Sequence, residues 1–311
     1  MLAETTYGCD ALKVGRKTTT ALTFLLATAV LGTTAGTATA TGGEKPDAAR
    51  SAQIVESATG TNDIEKNPLS VTQPSRANEA LQYRSDEGER ISLTLGNAAS
   101  APAQKGDNGT TIYQEARTST DFALQPTSDG SARALVVLKD DSAPNEQHFD
   151  IGMPAGAVLA EDEDGTVDVL VEAPEGAYEL GEFTAPWAKD ANGNAVPTSY
   201  RVEGDTVVQT VETSPSSAYP IVADPKWNWG IISGTVYFNK KETVKLSGGA
   251  ATVSALLGIW LPSPIAKALA SYAAVIAAKA AIASGKGKCI KVKSYGTVSE
   301  YGKHAKPYRC K

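Results

Sequence analysis

The chain has 311 residues, of which 41% are hydrophobic but only 5 are Phe and 4 are Trp. That content excludes a wholly disordered protein and leaves room for two folded regions with modest cores. The formal net charge of −6 hides a polarity: residues 41–225 carry 12 Lys and Arg against 31 Asp and Glu, and residues 226–311 carry 14 against 2. Such a split points the second part at a polyanion and lets the first part pair with it intramolecularly.

In chain order, Lys13, Arg16 and Lys17 form a positive n-region, Ala21–Leu31 an apolar h-region, and Ala38-Thr39-Ala40 a small-residue cleavage site. Residues 1–40 therefore read as a secretory signal cleaved near Ala40, and the protein as secreted and extracellular. Cys9 leaves with the signal. Cys289 and Cys310 remain, and in an oxidising compartment they predict a disulfide. A zinc site built from them and His304 has too few ligands at irregular spacing.

Residues 41–88 are polar, with scattered Gly and Pro, and read as a flexible leader with one transient helix around Ala48–Ser57. From Glu89 the pattern changes. Ile91, Leu93 and Leu95 alternate with polar residues, as a half-buried strand requires. About ten further short strands follow between Thr111 and Val222, separated by turn signals such as Ser128-Asp-Gly130 and Glu203-Gly-Asp205. The prediction for 89–225 is an acidic, antiparallel, sandwich-like all-β domain. The acidic runs Glu161–Asp164 and Asp190–Asn194 do not match a calcium-loop spacing and read as turns. No metal or cofactor is predicted.

The segment Ala185-Pro-Trp-Ala-Lys-Asp-Ala-Asn-Gly-Asn194 and the ending Ala218-Tyr-Pro-Ile-Val-Ala-Asp-Pro225 resemble a β-rich module of uncharacterised secreted actinobacterial proteins. There it precedes variable C-terminal regions, and Val236-Tyr-Phe-Asn-Lys-Lys-Glu-Thr243 with the Ala-rich run after it is similar to some of these. The resemblance implies secretion and modularity, and carries over no catalytic residue.

Asp224-Pro225 closes the acidic part, so 226–311 is expected to be a separate cationic domain. Asn239 can cap a short helix over Lys240–Leu246, with Glu242 reaching back in a capping box. Gly248–Ser284 is almost wholly apolar, its charges being Lys267 and Lys279. Ala250–Leu261 reads as one helix and Pro264–Ser284 as a second, started at Ser263-Pro264 and stopped by Gly285. Twenty-one residues would span roughly 30 Å, about one hydrocarbon core. The hairpin thus reads either as the core of a small domain or as a membrane-active element. Trp260 and Lys267, Lys279, Lys286, Lys288, Lys291 and Lys293 are the candidate membrane- or polyanion-binding set. Tyr295, Tyr301 and Tyr308 lie among cations, a pattern that also occurs in single-strand nucleic-acid binders, but a solvated cationic face is the simpler reading.

The fold class expected is therefore α+β: a β domain followed by a helical hairpin with a disulfide-closed basic tail. No P-loop, G-x-G-x-x-G or G-x-S-x-G occurs, and neither His148 nor His304 sits in a catalytic pattern. The function expected is a secreted, cationic, membrane-active module of bacteriocin or toxin type carried by the acidic domain. The alternatives are an adhesive protein on anionic wall polymer and a secreted nuclease toxin using His304.

Overall fold

The computed structural model describes residues 48–66, 71–84, 90–229 and 234–311. The signal expected at 1–40 lies outside them. The chain begins with α1 (Ala48–Thr59), then β1 (Val71–Thr72), β2 (Leu81–Arg84), β3 (Arg90–Leu95), β4 (Ala103–Lys105), β5 (Thr111–Arg117), β6 (Thr120–Pro126) and β7 (Ala132–Leu138). It continues with β8 (Glu146–Gly152), β9 (Ala157–Glu161), β10 (Val167–Ala173), β11 (Gly176–Phe183), β12 (Ala188–Lys189), β13 (Thr198–Glu203) and β14 (Thr206–Val211). After β15 (Ile221–Ala223), β16 (Lys226–Trp229) and β17 (Thr235–Phe238) come four helices: α2 (Lys240–Leu246), α3 (Ala250–Trp260), α4 (Ser263–Ala270) and α5 (Ala273–Gly285). The hairpin of β18 (Cys289–Lys293) and β19 (Val298–Tyr301) follows. The architecture is α+β, with antiparallel sheets and the helices concentrated toward the C-terminus.

Strands β1, β2, β3, β8, β14 and β13 form one sheet; the other described strands form a larger one. The alternation in β3 does what period two dictates: Ile91, Leu93 and Leu95 are buried, while Ser92 and Thr94 are half-buried. These side chains share one core with Phe149 and Val207 of the same sheet and with Tyr113, Phe122 and Phe183 of the larger one. In β7 the apolar run is continuous because both faces are covered. Val136 and Leu138 enter that shared core, whereas Leu135 and Val137 lie under α1.

The leader expected to be flexible contains part of this structure. Ala52 and Val55 of α1, one helical turn apart, pack on Ile112, Ala123, Leu135, Val137 and Val222. Ser51 Oγ donates to Asp121 Oδ2 at 2.6 Å, and Asp121 also pairs with Lys139 at 2.8 Å. Single small residues at helical spacing give a weak periodic signal, which is why composition alone suggested a transient helix.

The boundary expected at Asp224-Pro225 does not interrupt the larger sheet. Lys226 and Trp227 pair with Arg133 and Ala132 of β7, and β11 pairs with both β16 and β17. Charge composition changes at this point, but backbone pairing does not depend on net charge. Among the described residues, the ion pairs between the two charge regions are Lys226 with Asp129 at 3.1 Å, and Lys306 with Glu161 and Lys311 with Glu172, each at 3.4 Å, all at least partly exposed. Such pairs contribute little.

The helices also depart from expectation. Asn239 Oδ1 accepts from the Glu242 N–H at 2.8 Å, as a cap should. The reciprocal half of the box is absent among the described contacts, because the Asn239 N–H donates to Glu175 O and Glu242 pairs with Lys245. The single helix expected from Pro264 to Ser284 is broken at Ser271-Tyr272, and α4 and α5 meet at 84°. Tyr272 packs against Gly296 in the β18–β19 turn so closely that a Cβ at position 296 would lie 2.3 Å from its ring. That contact comes from a residue distant in sequence, so no local signal announces the break. Gly285 is the last helical residue rather than the stop, and the left-handed position falls at Gly287, with φ +67°.

Candidate functional site

Beyond β17 the sheet has two unlike faces. Period two sends Val236, Phe238, Ile290 and Val292 to one face, where α2–α5 cover them. It sends Tyr237, Cys289 and Tyr301 to the other, where Tyr308 and Cys310 of the tail after β19 pack with them. Cys289 and Cys310 form the predicted disulfide, with 5.6 Å between their Cα atoms.

The helical layer, here called the cap, buries Val253, Leu257, Leu261, Ile265, Leu269 and Ile276, with Ala277, Ala280 and Ala283 between them. This explains the apolar stretch only in part. On α5 the side away from the sheet carries Ala274, Val275, Ala278, Ala281 and Ile282 with one charge, Lys279. On α3 the outward side carries Ala251, Ala255 and Ile259 and no charge. Ile259 is 70% exposed, Ile282 50% and Val275 48%. A surface helix ordinarily places several charged and polar residues opposite its buried stripe; the exposed ones within α3 and α5 are just Ser254 and Lys279. No single helix among the described residues is long and apolar enough to cross a membrane.

The seven candidate binding residues divide among four places. Lys267 and Lys279 are exposed on the cap, and neither has an acidic partner among the described residues. Lys286 and Lys288, at the end of α5, both pair with Glu300, at 2.7 and 3.3 Å. Lys286 is the main cause of the lowered pKa of that glutamate. Lys291 and Lys293 leave the cap altogether, because the strand period turns them to the disulfide face. Lys291 Nζ stands 5.6 Å from the Tyr237 ring centroid and Lys293 Nζ 5.8 Å from that of Tyr295. Trp260 is half-buried, with its ring 5.9 Å from Phe238 and 6.2 Å from Tyr178. It packs the cap onto the sheet rather than facing outward. The exposed Ile259, Val275 and Ile282 were not among the candidates. The signal that could have found them is an Ala-rich helix whose bulky apolar residues exceed one stripe.

Of the three tail tyrosines, Tyr301 and Tyr308 are buried and Tyr295 is exposed, so no row of stacking rings faces solvent there. His304 is exposed, and His148 lies 4.0 Å from Glu146. Neither is placed against a nucleophile in any described contact. The acidic run ending at Asp164 and the one starting at Asp190 bond their own turns: Asp164 Oδ1 accepts from Thr166, and Asp190 Oδ1 from the N–H groups of Asn192 and Asn194.

A separate concentration of charge lies on β10 and β11, where Asp168, Glu179 and Glu182 bring one oxygen each within 4.8 Å of one another. Burial raises Asp168 to about 8, assisted by the charges of Glu179, Asp162, Glu182 and Asp164. Burial likewise raises Glu179 to about 7, with the charge of Glu182 adding to it and the Thr235 N–H opposing it.

Comparison of the chain with protein-family models, with curated proteins and with solved structures finds no match.

Proposed function

We propose that this is a secreted protein that docks on anionic membrane surfaces through the outer side of its helical cap. The observation that carries the reading is the outward face of α3 and α5, where Ile259, Val275 and Ile282 are exposed, with Lys279 exposed on α5 and Lys267 on α4. Apolar surface with cations at its margin and no acid is the composition of an interfacial helix. A fully buried Ile or Val side chain contributes about 1.5–3 kcal/mol, and a Lys near an anionic surface about 1 kcal/mol. Partial burial brings the two contributions to similar size, so attachment needs both. The buried stripe of the cap is already used in packing on the sheet. The reading is therefore surface docking of the folded cap, not insertion of a spanning hairpin, and it narrows the membrane-active expectation.

Flotation of the full chain with phosphatidylglycerol vesicles and with phosphatidylcholine vesicles tests this. The expected result is binding to the anionic vesicles alone, weakening as salt is raised. Equal binding to both, or to neither, contradicts it. Binding to an anionic wall polymer without vesicle binding would instead favour the adhesive reading, with Lys303 and Arg309 of the exposed tail as its cations.

A further inference from the structure

The carboxylates on β10 and β11 are assembled by a specific irregularity. Asp168 stands directly across from Glu182. Glu179 and Glu182 are three residues apart and would point to opposite faces of a regular strand. Between Val169 and Leu170 the register shifts: Val169 pairs with Gly181 and Leu170 with Glu179, which leaves Leu180 as an extra residue. The bulge returns both glutamates to one face, beside Asp168.

The three acids are not equally satisfied. Glu179 accepts from the Thr235 N–H at 3.0 Å and Glu182 from Asn228 Nδ2 at 3.3 Å. Asp168 is 4% exposed, and no donor or cation among the described residues touches its carboxylate. Lys293, whose charge reaches Glu179 and Glu182, stands over the Tyr295 ring instead, 5.8 Å from its centroid. A buried carboxylate without a donor, aimed at two other carboxylates, costs free energy until something positive completes it.

We infer that Asp168, Glu179 and Glu182 form a binding site for a hard divalent cation, with calcium the best fit. The donors are all carboxylate oxygens, the set that calcium and magnesium prefer and that thiophilic metals do not. Opposite ligand oxygens stand roughly 5 Å apart on calcium and roughly 4 Å apart on magnesium. A group whose oxygens all lie within 4.8 Å of one another is compact enough to share one such ion, and calcium's looser geometry suits an irregular, bulged site better than magnesium's strict octahedron. Water completes the coordination on the side of Glu182, which is half-buried where the other two are buried. The ion would fasten the β10–β11 hairpin next to β17, the strand that leads into the cap.

Isothermal titration of Ca²⁺ into the full chain, after chelator treatment, tests the site. The wild type is expected to bind one ion saturably and to unfold at a higher temperature with calcium present. Asp168→Asn and Glu182→Gln are each expected to bind at least about tenfold more weakly. Asp168→Asn is an isosteric change at a carboxyl that no described donor contacts, so its calcium-free unfolding temperature should stay close to that of the wild type, which separates loss of the ion from loss of the fold. Undiminished calcium binding in both variants would overturn the assignment. So would a folded wild type that binds none of Ca²⁺, Mg²⁺ and Mn²⁺ at millimolar concentration.

Discussion

The β body and the helical cap are held together by different means. The body takes charge and amide groups inside: Asp121, Gln147, Gln209 and Asp224 have no exposed surface, and Asp168 and Glu179 have almost none. Most of these are bonded across strands, so the body depends on polar groups finding their partners. In α2–α5, Glu242 and Thr243 are the buried polar side chains among the described residues. The rest of the cap's interior is aliphatic, and much of it is Ala. Small side chains let helices lie close to a sheet, but they fill little volume, so a few large residues must carry the packing. Each region is vulnerable in its own way: the body to deprotonation of its buried carboxyls and to loss of a polar partner, the cap to loss of a single bulky anchor.

The sharpest way to break the comparison is Phe238→Ala. Phe238 has no exposed surface and meets Trp260 edge-on beneath the cap. The substitution should cost about 3–5 kcal/mol in denaturant unfolding. Removing the disulfide by Cys289→Ser with Cys310→Ser should cost about 3 kcal/mol, from the unfolded-state entropy of a loop with sequence separation 21; calorimetry of the oxidised and substituted proteins measures it. The body should respond to pH through Asp224. Burial raises its pKa from 3.8 to about 7, against the N–H groups of Trp187 and Lys226 that favour the charged form. Between those values the folded state holds a proton that the unfolded state has lost. The contribution to stability is therefore complete below about pH 4, declines as pH rises and is gone above about pH 7, with a slope of up to about 1.4 kcal/mol per unit. Comparing urea midpoints of wild type and Asp224→Asn across that interval isolates it, since the variant should lack this slope. The smallest effect belongs to the cap exterior: Ile259→Ser, Val275→Ser and Ile282→Ser should each change stability by no more than about 0.5 kcal/mol.

Much of the body was legible from its residues. Ile91, Leu93 and Leu95 announced their strand by alternation, and Asx and Gly residues marked the turns between strands. The disulfide between Cys289 and Cys310 was expected from the reading of the chain as secreted. What escaped had non-local causes. The break at Tyr272 depends on Gly296, and the continuation of the sheet into β16 and β17 depends on partners in β7 and β11. The charge change at Pro225 was read as a domain boundary, and the larger sheet runs across it, with Lys226 and Trp227 paired to β7. Ala52 and Val55 were too small to show that α1 is packed. The set Lys267 to Lys293 was chosen by charge alone, and strand period then placed Lys291 and Lys293 on the opposite face. The Asp168 cluster needed both the pairing of β10 with β11 and a bulge that no single strand shows.

The proposed docking uses the cap's outer side, and not its buried stripe, to meet the membrane. Vesicle flotation of the triple variant Ile259→Ser/Val275→Ser/Ile282→Ser beside the wild type tests it most directly. The account predicts a folded protein, with helix content and disulfide intact, that no longer floats with anionic vesicles. A folded triple variant that floats as well as the wild type would contradict it.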